Sequence, residues 1–389
     1  MSEARPGFLK RLVSSPWPVT VGLLGPLVLW YGAVQWKGFH LGALSHSMNE
    51  QGEGGGLMEL WVHGEQPWFS WVPFIHPPGY SIFMNLTAFT SDRLGIEPSE
   101  QILLQGTATK VLVVLLLAWA VSRWAGALWG MFSAALFTVS PNAIRPFEHY
   151  PVATLLSTLA IIAVVDWSLR GDRRARAGAI AAVFVAVGLH LSIWFVVGGT
   201  IATLFILLQD RRREILRASC WMIGLFLLTC WGLPDVLVSG PGHGPEKTPG
   251  VVTIEWTNPV LLGACLLAFL PWAFRGRTAP ALAGGVLFFT AVTCALQKLQ
   301  VADGNPYPAS LHYFELIEPV LVIVPALSLA AWWKVGGRWA RSIVILVMVA
   351  LMVTQCWLFL QGQSHPFEDR VFHPHWFWML VWPGGAGGT

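Results

Sequence analysis

Long apolar runs constrain this chain more than any other feature of its sequence. A bilayer with a hydrocarbon core of about 30 Å requires roughly 20 consecutive apolar residues for one helical span. Charged residues make up only 12% of the 389 residues, about half the share found in ordinary soluble proteins. The sequence therefore predicts an all-α polytopic membrane protein with about 11 transmembrane helices. The predicted spans are residues 17–36, 101–122, 125–141, 152–169, 177–194, 196–209, 218–236, 258–273, 279–297, 313–333 and 341–361.

Two segments are expected to depart from a simple row of spans. Residues 177–209 form one apolar run that must break near Trp194, break near residues 198–199, or tilt steeply. The paired prolines at 77–78 preset the first turn of a helix, so a short helix is predicted over residues 79–90. A helix of that length is too short to cross a bilayer and is predicted to be interfacial or re-entrant.

The distribution of charge predicts the orientation of the spans. With the N-terminus in the cytoplasm, six successive segments on that side collect 17 of the 24 Lys and Arg residues, as the positive-inside bias requires. The other face receives 16 of the 21 carboxylates and all 11 His residues. We therefore expect a multi-pass protein of the inner (plasma) membrane, with one transmembrane domain at 1–361. Its large first extracytoplasmic loop, with short interfacial helices, lies at 37–100, and its extracytoplasmic C-terminal tail lies at 362–389.

Three short motifs on the predicted outer side resemble those of a known superfamily. Residues 76–80 read His-Pro-Pro-Gly-Tyr, residues 140–150 carry Ser-Pro and then Arg-Pro-Phe-Glu-His-Tyr, and residues 311–319 carry Leu-His-Tyr-Phe and then Glu-Pro. Together with a basic N-terminus, one span and a long acidic outer loop, they resemble the GT-C superfamily of membrane glycosyltransferases. That superfamily includes protein O-mannosyltransferases and the aminoarabinose transferase of lipid A. The resemblance covers residues 17–335.

The resemblance implies a reaction and some of the residues that perform it. A GT-C enzyme of this kind takes a sugar from a polyprenyl phosphate and transfers it to a lipid, glycan or protein acceptor outside the cytoplasm. Its general base is an acidic residue of the first outer loop, and the matching positions here are Glu50 and Glu53. The family's motifs imply that His76, Glu148 and Tyr313 bind substrate.

Such a transfer needs a base for the acceptor's proton, and cations or hydrogen-bond donors for the departing phosphate. Arginine can bind a phosphate through two parallel hydrogen bonds, whereas lysine acts as a point charge. The candidates for phosphate binding on the outer side are Lys110, Arg145, His149 and His312.

Lys110 is the most informative of these candidates. It lies about ten residues into the second span, where insertion of a charge costs roughly 2.5–3.5 kcal/mol. Three polar residues, Gln105, Thr107 and Thr109, are expected to form a polar stripe with it. A structural ion pair, or a side chain that extends to the membrane interface, is the alternative to a functional role.

Two further features concern the predicted outer side. Glu315 and Glu318 are about one turn apart at the start of a span, so they share a helix face and are expected to line one cavity. His190 is expected to form a hydrogen bond inside the bundle rather than to act in catalysis.

Other functions remain open at this level. A transporter or lipid flippase is one alternative, although such proteins tend to show internal repeats and several mid-membrane charges. A non-catalytic GT-C-like subunit of an envelope complex is another, because the family's base is usually Asp and this chain has Glu. Scattered basic clusters and a net charge of +3 argue against nucleic acid as a partner. No cofactor is expected. A divalent metal is a weaker alternative, suggested by the tail residues His365, Glu368, Asp369, His373 and His375.

Overall fold

The part of the chain that the structure describes is a bundle of helices without strands. A computed structural model describes residues 24–33, 77–96, 98–140, 150–229, 258–274, 276–302 and 316–361. Short 3-10 segments lie at Gln209–Arg211 and Cys265–Phe269. The helices are α1 (Leu24–Ala33), α2 (Pro78–Leu94), α3 (Pro98–Ala125), α4 (Ala127–Thr138), α5 (Tyr150–Arg170), α6 (Arg173–Leu189), α7 (Ile193–Leu207), α8 (Arg212–Thr229), α9 (Pro259–Ala264), α10 (Pro271–Phe274), α11 (Thr278–Ala302), α12 (Glu318–Val335) and α13 (Arg338–Gln361).

Helical structure is present at every predicted span. Among the described residues, α3, α5, α12 and α13 are each long and apolar enough to cross a membrane. Helices α7 and α8 make a fifth such segment if they count as one span, bent by 107°. Helices α1 and α4, the stretch Thr278–Thr293 of α11 and the segment Val260–Phe269 are apolar but shorter. The prediction of an all-α membrane protein is therefore confirmed, whereas the count of eleven spans stays a prediction.

Contacts between neighbouring helices fix the directions in which they run. Gly106 of α3 faces Pro151 at the start of α5. Arg123, near the end of α3, forms an ion pair of 2.6 Å with Asp166, near the end of α5. Helices α3 and α5 are therefore parallel, as two successive spans joined through one returning helix must be.

Helix α4 is the returning helix, and it runs antiparallel to α12. Trp129 at the start of α4 packs against Trp333 at the end of α12, with ring centroids 6.4 Å apart. At the other end, Ser140 just after α4 donates a hydrogen bond to Glu318 in the first turn of α12. We call the end with Ser140 and Glu318 the network end and the end with the Arg123 ion pair the charged end. These alternating directions agree with the sequence-based topology, in which the charged end is cytoplasmic and the network end is outside.

The short helix predicted after the paired prolines is present and is longer than expected. Helix α2 continues to Leu94, four residues beyond the predicted end. It stops at Gly95, whose φ of 63° lies in the left-handed region that glycine adopts at little cost. The backbone N–H of Gly95 bonds to the carbonyl oxygens of the last turn. A glycine that follows an apolar helix was thus a stop signal that the sequence-based boundary did not use.

The long apolar run between α6 and α7 breaks where α2 meets it. Residues 190–192 separate the two helices. The start of α2 lies so close to α6 that a methyl group on Gly79 would overlap the carbonyl oxygen of Gly188. The break is therefore near Trp194, as one of the three predicted alternatives stated, and not at residues 198–199, which lie inside α7.

Close glycine contacts join α7 to α11, and they allow a sharp test of the packing. A methyl group on Gly285 would come within 2.6 Å of the backbone oxygen of Val196 and would overlap Thr200 Oγ1. We expect Gly285→Ala to lower the thermal stability of the purified protein, because overpacking a helix contact costs about 1–3 kcal/mol. Gly198→Ala is the matched control, since nothing lies within 4 Å of its methyl position. Equal melting temperatures for the two variants would contradict this packing.

Candidate functional site

One of the residues proposed as catalytic or substrate-binding from the sequence lies in the described part of the chain. That residue is Lys110. The others lie outside the described residues: Glu50, Glu53, His76, Arg145, Glu148, His149, His312 and Tyr313. Glu315 and the His- and carboxylate-rich tail also lie outside them. The described residues nevertheless include a polar interior close to where these segments join the helices.

Lys110 is buried in the interior of the bundle. Its exposure is only 3%, and its nearest helical neighbours on the same face of α3 are Gly106, which faces α5, and Val113, which is fully buried. Lys110 takes part in a hydrogen bond, an ion pair or another electrostatic interaction. Such a contact is required at this depth, because an isolated charge in apolar surroundings costs several kcal/mol.

The polar residues around Lys110 do not form the single stripe that the sequence suggested. Gln105 lies on the face of α3 that meets α2, where its Oε1 accepts a hydrogen bond from Thr87 Oγ1 at 3.1 Å. Thr109 shares this face and donates to the carbonyl oxygen of Gln105 at 2.7 Å. Lys110 is rotated from Gln105 by about 140° around a helix of 3.6 residues per turn. Thr107 Oγ1 is buried, with no hydrogen-bond partner among the described residues.

Four buried polar side chains form a network at the network end. Glu318 accepts hydrogen bonds from Ser140 Oγ and from Asn258 Nδ2, the latter at 3.4 Å. Asn258 and Gln355 exchange two more: Nδ2 donates to Gln355 Oε1 at 2.5 Å, and Gln355 Nε2 donates to Asn258 Oδ1 at 3.0 Å. Each of the four side chains is at most 4% exposed. The network ties together the ends of α4, α9, α12 and α13.

Each member of the network has a local reason for its position. Asn258 is the N-cap of α9, where its Oδ1 accepts a hydrogen bond from the backbone N–H of Leu261 at 3.1 Å. Glu318 begins α12, and the helix dipole favours a carboxylate there. Ser140 directly follows α4, and Gln355 lies within two turns of the end of α13. Loss of one member would leave buried donors or acceptors unpaired, at about 1–3 kcal/mol each.

Lys110 and this network lie at about the same depth. A methyl group on Gly130 of α4 would overlap the carbonyl oxygen of Ala118, so these two positions are level. Because α3 and α4 are antiparallel and rise equally per residue, moving ten residues forward in α4 corresponds to moving ten residues back in α3. Ser140 is therefore level with residues near 108, within one turn of Lys110. A buried cation and a buried carboxylate thus share one end of the bundle.

His190 lies in the break between α6 and α7 and is 4% exposed. Its Nδ1 accepts a hydrogen bond from the backbone N–H of Ser192 at 3.3 Å. This bond stabilises the extended backbone of His190, the first of the three residues between α6 and α7. The geometry agrees with the expected role of His190 as a hydrogen-bonding residue inside the bundle.

Together, these groups place the buried cation of Lys110 and the buried carboxylate of Glu318 at one end of the bundle, where the network holds the surrounding helix ends in place. Sequence reasoning identified Lys110 and Glu318 but missed Asn258 and Gln355 as partners. The available signal was weak: each is a single amide residue near the end of an apolar run. Among the described residues, no group of three or more His, Cys, Asp or Glu side chains could hold a metal ion.

Comparison with known proteins gives similarity to solved structures only. No protein-family model matches the chain, and no curated protein matches it. ArnT from Cupriavidus metallidurans is similar in its apo state, with a TM-score of 0.47 and 16% identity over 83% of this chain and 69% of ArnT. ArnT bound to undecaprenyl phosphate gives a TM-score of 0.49 and 17% identity over 84% of this chain and 62% of ArnT.

The arabinofuranosyltransferase AftD from Mycobacteria is also similar, with a TM-score of 0.41 and 17% identity. That similarity covers 78% of this chain but only 24% of AftD.

Proposed function

We propose that this protein is an integral-membrane glycosyltransferase of the GT-C type that moves a sugar from a polyprenyl-phosphate donor to an extracytoplasmic acceptor. The observation that carries the proposal is the burial of Lys110 at the depth of the polar network. A cation held there suits the phosphate of a lipid whose chain lies in the membrane. The GT-C-like motifs belong to the same predicted side of the membrane.

The proposed reaction is a substitution at the anomeric carbon of the sugar. The acceptor's hydroxyl or amine attacks this carbon, and the bond from the carbon to the phosphate oxygen breaks. The phosphate leaves with the electron pair, and Lys110 stabilises its negative charge. Glu50 or Glu53 takes the proton that the acceptor loses.

The remaining sequence-derived residues have supporting roles in this proposal. Arg145, His149 and His312 are proposed to donate hydrogen bonds to the phosphate. His76, Glu148 and Tyr313 are proposed to position the sugar or the acceptor. No cofactor takes part in this scheme, and the reaction would occur on the outer face of the inner (plasma) membrane.

The donor class follows from the chemistry of the site. A buried cation inside a membrane-spanning bundle, such as Lys110, suits a monophosphate attached to a long apolar chain better than a soluble nucleotide sugar. ArnT has been solved bound to undecaprenyl phosphate. For this chain we propose a polyprenyl phosphate of the same chemical class, on the strength of Lys110 and the motifs.

The proposal can be tested with the purified protein in proteoliposomes. We expect release of free polyprenyl phosphate from an undecaprenyl-phosphate sugar when a cell-envelope extract supplies acceptors, as read by mass spectrometry. A flippase would instead move the donor to the other leaflet and leave it intact. If the protein neither releases polyprenyl phosphate nor moves the donor, the result indicates the non-catalytic alternative. Movement of an intact donor, or the absence of both events, would overturn the enzymatic proposal.

A further inference from the structure

A cavity of about 540 Å³ opens at the charged end of the bundle. The ends of α3, α5 and α12 and the turn between α10 and α11 form its walls. Arg123 lines the cavity and follows Lys110 by thirteen positions in α3. This spacing corresponds to about 20 Å along the helix. The cavity is therefore separate from the site proposed for the sugar donor.

The cavity carries an excess of positive charge. Asp166 is the only carboxylate among its described lining residues, and both of its oxygens are occupied. Arg123 Nη2 lies 2.6 Å from Oδ2, and Trp124 Nε1 donates to Oδ1 at 3.1 Å. The other two cations of the lining, Arg170 and Lys334, form no ion pair with any residue that the structure describes.

Cations often occur at the C-termini of helices, because they stabilise the last carbonyl groups. At α5 a different residue already fills that role. Arg211 Nη1 donates to the carbonyl oxygen of Ser168 at 2.5 Å and to that of Trp167 at 3.3 Å. Arg170 is therefore available to an anion in the cavity.

The cavity is amphipathic. Leu327 belongs to the apolar lining and lies seven residues before Lys334 in α12. It is therefore about 10 Å deeper in the cavity than Lys334. Trp272 forms an aromatic wall, stacked on Trp332 with 4.6 Å between ring centroids. The volume lies within the range of about 300–1,000 Å³ that is typical of small-molecule sites. A phosphate near the rim and an acyl chain in the deeper part would match this distribution of charge and apolar surface.

We propose that this cavity binds the phosphate group of an anionic phospholipid from the adjacent leaflet. Arg170 and Lys334 hold the phosphate, while Trp272 and Leu327 contact the first part of an acyl chain. Basic pockets between transmembrane helices suit anionic headgroups in this way. The site is independent of the proposed transfer reaction, since it uses none of that reaction's residues.

The test compares lipid retention by the full-length protein from mixed vesicles of phosphatidylglycerol and phosphatidylcholine, read by native mass spectrometry. We expect the wild-type protein to retain phosphatidylglycerol at least tenfold over phosphatidylcholine. The double variant Arg170→Gln/Lys334→Gln should lose this preference. Arg174→Gln/Arg213→Gln is the matched control, because it removes the same charge from exposed residues outside the cavity and should keep the preference.

A second variant guards against misfolding of the first. Leu327→Trp leaves the charges in place but fills the deeper part of the cavity, and it should also reduce retention. Equal retention of both lipids by the wild-type protein would overturn the proposal, as would an unchanged preference in the double variant. Inorganic phosphate is the other ligand whose phosphate group could bind to Arg170 and Lys334. Complete displacement of the lipid by millimolar phosphate would show a site for the free anion and would overturn the lipid assignment.

Discussion

Replacing Lys110 by methionine is expected to weaken the binding of a polyprenyl phosphate by about 10- to 150-fold. The estimate follows from the roughly 1.5–3 kcal/mol that a hydrogen bond to a charged group contributes, with about 1.4 kcal/mol for each factor of ten. Methionine keeps a long apolar side chain at this buried position. Titration of the purified variant with undecaprenyl phosphate, followed by native mass spectrometry, measures the effect.

Thr109→Val is the matched control for this experiment. The change lies next to Lys110 in α3, and among the described residues the Thr109 hydroxyl donates only to carbonyl oxygens of its own helix. We expect its affinity for undecaprenyl phosphate to equal that of the wild-type protein. If the Lys110 variant is folded and also binds with unchanged affinity, Lys110 is a structural residue and the proposed phosphate site is wrong.

Changing Glu50 and Glu53 to glutamine together is expected to lower the rate of sugar transfer by about 100- to 10,000-fold, the usual contribution of a general base. Glutamine has nearly the same shape as glutamate but cannot accept the acceptor's proton at neutral pH. Binding of the lipid phosphate should be unaffected, because the base acts on the acceptor. The single variants, assayed beside the double one, show which glutamate acts.

Glu59→Gln and Glu65→Gln provide controls from the same predicted outer loop. They remove the same charge from the same segment, so a general effect of charge on the loop would lower their activity as well. We expect both to retain wild-type rates. Full activity in the double variant Glu50→Gln/Glu53→Gln would exclude these residues as the base.

The helices themselves could be read from the sequence, because their signal is local. A membrane-crossing segment must be apolar along its whole length, so α3, α5, α12 and α13 are evident as uninterrupted runs. The sequence signal for the start of α2 was equally local, because Pro77 and Pro78 preset the first turn. The relative directions of α3, α4, α5 and α12 agree with the alternation that the basic clusters predict.

The features that sequence could not supply depend on contacts between distant segments. The break at residues 190–192 lies where Gly79 of α2 meets Gly188 of α6, and the apolar run itself has no proline at that point. The network joins Ser140 to Glu318, which are 178 residues apart. No local pattern pairs such residues.

The charged end illustrates the same limit of sequence patterns. Arg123, Arg170 and Lys334 belong to three different segments among the six that the sequence places on the cytoplasmic side. Only the packing of α3, α5 and α12 brings them to one cavity. A charge count predicts the side of the membrane, whereas a binding site requires the arrangement of the helix ends.

The most direct test of the proposed function is the identity of the lipid that accompanies the purified protein. Mass spectrometry of lipids extracted from the wild-type protein should detect a polyprenyl phosphate, or its sugar-linked form, at close to one per chain. The Lys110→Met variant, purified in parallel, should have lost most of it. Phospholipid alone in both samples, with no polyprenyl phosphate even after the protein is supplied with an excess of it, would contradict a lipid-phosphate glycosyltransferase.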